Sequence, residues 1–106
     1  MDRKKLDRLR TELETMRGSP QRGSDVANLA IKLGRKSVNR GKEPTYESPF
    51  DIPVITIPNH DPLKRGTQKS ILNQLEDDFI AWEAKFDHEE RYAAALAEER
   101  QKRGLT

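Results

Sequence analysis

The chain predicts an α+β fold: a small three-stranded antiparallel sheet with two packed helices, an extra helix at the N-terminus and a long helix at the C-terminus. Three observations carry that reading. Apolar residues recur at three- and four-residue spacing over 6–16, 24–33 and 67–86. A β-branched run, Ile52 to Ile57, has the period of a strand. Turn-forming residues, Asn39-Arg40-Gly41-Lys42 and Ser48-Pro49-Phe50-Asp51, punctuate the space between the second helix and that strand.

Leu6, Leu9, Leu13 and Met16 form a narrow stripe that ends at Gly18-Ser19-Pro20, so the first helix precedes the domain proper. A second helix runs from Ser24 as N-cap to Leu33, with Val26, Leu29, Ala30 and Leu33 on one face and Gly34 as its stop. Strands are expected at 36–39, 45–48 and 52–57, joined by Asn39-Arg40-Gly41-Lys42 and Ser48-Pro49-Phe50-Asp51. In the last strand both faces are mostly apolar, which predicts burial on both sides. It stops at Pro58. Thr67 then caps a third helix with Ile71, Leu72, Leu75, Phe79, Trp82 and Phe86 on one side.

No proline interrupts that helix, and continued to residue 102 it spans on the order of 50 Å at ~1.5 Å per residue. A small sheet cannot cover it. Either its acidic tail lies against the basic first helix, closing Leu6, Leu9, Leu13 and Met16 onto Phe86, Tyr92 and Leu96, or the stripe docks a second copy or another protein. The domain reading is 1–21 for the accessory helix, 22–86 for the folded domain and 87–106 for the helical extension.

Charge is unevenly placed. Residues 1–75 carry 15 Lys and Arg against 9 Asp and Glu, and residues 76–106 carry 5 against 9. Lys32, Arg35, Lys36, Arg40 and Lys42 form a run without an acid, and Lys64, Arg65 and Lys69 surround the start of the third helix. Basic charge on two separated elements, one beside free helix amides, suits phosphate. With no cysteine, disulfides, thiolate metal sites and a cysteine nucleophile are excluded. His60 and His88 lack metal-ligand spacing, so no metal and no cofactor are expected. No apolar stretch approaches the ~20 residues of a membrane span and the N-terminus lacks a signal-like apolar core, so a cytoplasmic protein away from membranes is expected.

Ile57-Pro58, His60, Leu63-Lys64-Arg65-Gly66-Thr67 and Ser70-Ile71-Leu72 with Gln74 and Leu75 behind resemble the C-terminal half of HicA-family toxins. The looser upstream half, from Leu29 to Tyr46, extends the resemblance to residues 24–76. It implies a double-stranded-RNA-binding-like fold, endoribonuclease action on mRNA, and silencing by a HicB-type antitoxin. The family's catalytic histidine follows a Gly-Ser pair, and the matching stretch here is Gly41-Lys42-Glu43, which puts Glu43 in its place. A carboxylate can accept a proton, but its ordinary pKa near ~4.3 makes it a poor donor at neutral pH.

The candidate catalytic residues are therefore Glu43 and His60, and the candidate RNA-binding residues Lys36, Arg40, Lys42, Lys64, Arg65 and Lys69. Glu43, next to Pro44, also reads as a plain hairpin residue, and His60, between Asn59 and Asp61, as a turn residue. Expected partners are mRNA, a HicB-like antitoxin and a second copy bound through the terminal helices. Two other functions stay open: an RNA-binding module without catalysis, and a helical interaction protein that binds no RNA.

Overall fold

The computed structural model describes residues 1–39, 43–102 and 104. Arg40 and Lys42, both expected to touch RNA, lie outside the described residues. The elements are α1 (Arg3–Met16), α2 (Gly23–Lys32), β1 (Lys36–Asn39), β2 (Pro44–Glu47), β3 (Ile55–Thr56) and α3 (Arg65–Lys102). The fold is α+β: three helices, one of them long, and a three-stranded antiparallel sheet in the order β1-β2-β3.

The middle of the fold is an αβββα run whose turns follow local chemistry. α2 ends where Gly34, at φ +99°, turns the chain; its N–H donates to Ile31 O (2.9 Å) and that of Arg35 to Ala30 O (3.1 Å). This pair of hydrogen bonds is the Schellman closure that glycine makes cheap. On the sheet, Tyr46 pairs with Ile55, and both join Ile57 in the core, while Thr56 is exposed and Val54 is 43% exposed. The helices thus cover one face of the last strand, not both as its composition suggests.

That strand is also shorter than 52–57. Pro53 has no N–H to give a ladder. The Ile52 N–H turns back to Phe50 O (2.9 Å), and the Pro53 carbonyl accepts from Arg35 Nη1 (3.2 Å), so pairing starts only at Ile55.

Both domain helices start elsewhere than the sequence suggests. α2 begins at Gly23, one residue before Ser24, with Arg22 at the N-cap and no side-chain cap. The Gly23 N–H instead donates to His60 O (2.8 Å). α3 begins at Arg65, and its first turn closes from Gln68 N–H to Lys64 O (2.8 Å), which places Thr67 inside the helix and removes it as the cap.

α1 contributes Leu6, Leu9, Leu13 and Met16 to the same core that holds Val26, Leu29, Ile71, Leu72, Leu75, Phe79 and Phe86. Its direction on α3 is set by a ladder of ion pairs. Arg3 reaches Asp87 (2.7 Å) and Glu90 (2.8 Å), Arg10 reaches Glu83 (2.7 Å), and Arg17 reaches Glu76 (2.8 Å). The three arginines are spaced by seven residues and so are Glu76, Glu83 and Glu90, running the opposite way. That is the register of an antiparallel coiled coil. Arg10 also lies over the Phe79 ring (4.8 Å) and Arg3 over Phe86 (5.3 Å), so the guanidinium stems cover the aromatic seam. Each pair is largely exposed and contributes little stability alone; together they select one direction and one register.

The basic first helix therefore lies against the acidic part of α3. The closure stops at Phe86. Tyr92 and Leu96, expected to meet α1, are 62% and 41% exposed, because α1's first turn already ends at Glu90. α3 accounts for the 61 Å long axis of the molecule.

Candidate nucleic-acid interface

The loop from Pro58 to Lys64 ties two helix N-termini to one corner. Gly23 N–H donates to His60 O, and Leu63 N–H donates to Gln21 O (2.8 Å). The 8% exposed Gln68 completes the clamp: its Nε2 donates to Met16 O and Ser19 O (both 3.0 Å), and its Oε1 accepts from Gln21 N–H (2.8 Å). A single buried amide thus fixes the α1–α2 link against the first turn of α3. The start of α2 and the start of α3 flank one loop, and both present the positive ends of their dipoles there.

Four exposed cations surround that corner. Lys64, Arg65 and Lys69 lie where the sequence places them, at the start of α3. The fourth is Arg22, the α2 N-cap residue, exposed and 4.0 Å from Asp61. Sequence reading passed over Arg22 because it sits in a linker of mixed polarity; only the Gly23–His60 and Leu63–Gln21 bonds bring it to the loop.

The other basic run is dispersed by the fold. Lys36 is exposed, but it opens β1, the strand end far from the hairpin that leads into Pro44. Lys32 lies 3.3 Å from Glu12 on α1. Arg35, 3% exposed, is not a surface residue at all. Its Nε and Nη2 donate to both oxygens of Asp78 (2.8 and 2.7 Å), and its Nη1 donates to Tyr46 O (3.0 Å) and Pro53 O (3.2 Å). Burial pushes the Asp78 carboxyl above its ordinary value, against the pull of Arg35. Arg35 joins the end of α2, β2, the approach to β3 and α3, and its burial keeps it from any phosphate.

Glu43 and His60 are both exposed. Glu43 precedes Pro44, whose carbonyl accepts from Ile57 N–H (3.1 Å), and His60 follows Asn59. Pro44 and Asn59 both line a groove of about 260 Å³ shared with Gly23, Ser24, Asn28 and Tyr46. Neither Glu43 nor His60 lines this groove; each is the chain neighbour of a residue that does. A second hollow, about 390 Å³, is lined by Arg17, Ser19, Arg65 and Gln68 on the other side of the α3 start. Among the described residues, no group of three or more His, Asp or Glu is arranged to hold a metal ion, and no helix is long and apolar enough to cross a membrane.

No protein-family model matches this chain, and no curated protein or solved structure matches it significantly.

Proposed function

We propose that this chain binds RNA through the corner between the α2 and α3 N-termini and acts as a HicA-like toxin, or as an RNA-binding protein derived from one. The observation that carries this reading is the convergence of two helix N-termini and Arg22, Lys64, Arg65 and Lys69 on the single loop that holds His60. Such a surface neutralises phosphates without reading bases. The αβββα order also agrees with the double-stranded-RNA-binding-like arrangement that the resemblance implies, with α1 and the end of α3 added outside it. A HicB-like antitoxin is the expected partner.

In the cleavage step of this reading, the 2′-hydroxyl oxygen of the RNA attacks the adjacent phosphorus while Glu43 accepts its proton. The bond from phosphorus to the 5′-oxygen breaks, and His60 supplies a proton to that leaving oxygen. Arg22 and Lys64 are placed at the corner to offset the charge that builds on the phosphoryl oxygens.

Binding should weaken steeply with salt. Charge reversal at Arg22, Lys64 and Lys69 is expected to weaken binding to unrelated RNA sequences alike, and to flatten the log–log salt slope by about 0.7 for each phosphate that is no longer neutralised. Fluorescence anisotropy at several salt concentrations measures both. Affinity indifferent to salt and to these substitutions would remove the reading. Cleavage is tested on a mixed mRNA pool with wild type, Glu43→Gln, His60→Ala and Glu43→His. Loss of cleavage in the first two variants is expected. Wild type that binds without cutting, with cutting gained in Glu43→His, would assign this chain to the binding-only class on a scaffold that still holds the family's site.

A further inference from the structure

The groove between the start of α2 and β2 holds polar groups that the fold does not use. Tyr46 is 8% exposed, yet its hydroxyl makes no hydrogen bond to any described residue. A tyrosine buried this deeply ordinarily gives its hydroxyl to a partner. Among the described residues no buried side-chain oxygen lacks one, so this hydroxyl lies on the small part of Tyr46 that solvent still reaches, and Tyr46 lines the groove. Ser24, Asn28 and Asn59 line it too, and their side chains are likewise unbonded to any described residue. Ser24 sits inside the first turn of α2, where it caps nothing. Ala27 and Ile57 add apolar wall, and none of the lining residues is charged.

We propose that this groove takes one unpaired base, adenine, of a single-stranded RNA whose phosphates lie on the cationic corner. The inference rests on the RNA-binding reading and adds a choice of sequence to it. A phosphate requires cations, and the groove has none. A flat ring with donors and acceptors on its rim suits apolar walls edged by hydroxyls and amides. The groove adjoins the corner directly: Gly23 follows Arg22, Asn59 precedes His60, and the Gly23 N–H donates to His60 O (2.8 Å). Its volume of about 260 Å³ falls below the ~300–1,000 Å³ of sites for drug-sized ligands, which limits it to a single base.

The lining side chains select adenine. An asparagine amide matches the donor and acceptor at adenine N6 and N7, whereas guanine O6 and N7 call for Arg or Lys and cytosine N4 for a carboxylate, neither of which lines the groove. Uracil offers a smaller face to the apolar walls. A base inside a duplex has its faces stacked and its Watson–Crick edge paired, so the groove requires a single strand. The corner then supplies strength and the groove supplies selection.

Fluorescence anisotropy on the full chain tests this with labelled RNAs of about eight nucleotides: oligoadenylate is expected to bind about ten-fold or more tighter than oligocytidylate or oligouridylate of equal charge. Asn28→Ala with Asn59→Ala should bring oligoadenylate down to the level of oligocytidylate. Tyr46→Phe removes only the unbonded hydroxyl and should weaken oligoadenylate about three-fold or more. Neither change should alter the affinity for oligocytidylate or for a hairpin duplex, nor the salt slope, because no phosphate contact is lost. Thermal melts verify that the variants fold. Equal affinity for the three single strands, a preference for another base, a preference unchanged in the variants, or an equal loss on every RNA would overturn the adenine site while leaving salt-dependent binding at the corner in place. Binding to no RNA at all would remove both.

Discussion

Replacing Arg35 with methionine is expected to lower the unfolding free energy by about 3–5 kcal/mol, a large share of the ~5–15 kcal/mol of an ordinary domain. The cause is what Arg35 leaves behind. Asp78 is 1% exposed and takes both of its charge-assisted hydrogen bonds from this guanidinium, while the Tyr46 and Pro53 carbonyls lose a donor in the same step. A buried carboxylate without its counter-charge costs far more than the pair contributes when intact. Replacing both members, Arg35→Met with Asp78→Leu, should therefore recover much of the loss, and chemical denaturation of the two variants measures the difference.

The same pair predicts a pH dependence. Asp78 in the folded wild type already has a proton affinity above the ordinary 3.8, because burial opposes its charge. Without Arg35 the folded value rises further, whereas the unfolded value does not move. The folded variant then binds the proton more tightly than its unfolded chain. Its deficit is smallest below about 3.8 and grows as pH rises through the folded value. A deficit in Arg35→Met that stays constant between acid and neutral pH would place its origin in lost packing and not in the stranded carboxylate.

Arg35 also marks where sequence reading stops. In the run Lys32-Leu33-Gly34-Arg35-Lys36 nothing separates a buried arginine from its solvated neighbours, since the acid that holds it lies 43 positions away on α3. Patterns settled within one element were legible: the four-residue stripe of α1, the apolar face of α3 through Phe86 and the Gly34 stop. Between elements, only the attraction of a basic first helix for an acidic last one was legible, because gross charge carries it. Ser24 and Thr67 are good capping residues, yet α2 takes its acceptor from the His60 carbonyl and α3 begins two residues before Thr67. The half-strand 52–54 reads as β, but its Pro53 carbonyl is held by Arg35. At the candidate site, Lys64, Arg65 and Lys69 were visible as a local cluster, whereas Arg22 and Gln68 acquire meaning only when the 58–64 loop closes on the α1–α2 link.

Gly23→Ala is expected to cost about 3 kcal/mol or more and to remove most RNA binding, although alanine is the better helix former. A Cβ at this position would overlap the Pro58 carbonyl oxygen and stand 3.0 Å from its carbon and 3.1 Å from the His60 nitrogen. All three are backbone atoms, so no side chain can swing aside; the loop must lift from α2. That movement breaks the Gly23–His60 hydrogen bond and draws Arg22 away from Lys64 and Arg65, which separates the cations the corner holds together. Gly66→Ala supplies the matched comparison. It sits in the first turn of α3, nothing lies within 4 Å of its added Cβ, and it should be neutral or gain up to about 1 kcal/mol with RNA binding kept. Thermal melts with RNA anisotropy on both variants, at a temperature where each is folded, test the argument. If Gly23→Ala melts and binds like the wild type, the approach of loop to helix is not what assembles the corner. If it is destabilised yet binds RNA with unchanged affinity, phosphates are held elsewhere, and the exposed Lys36 on β1 becomes the next position to reverse.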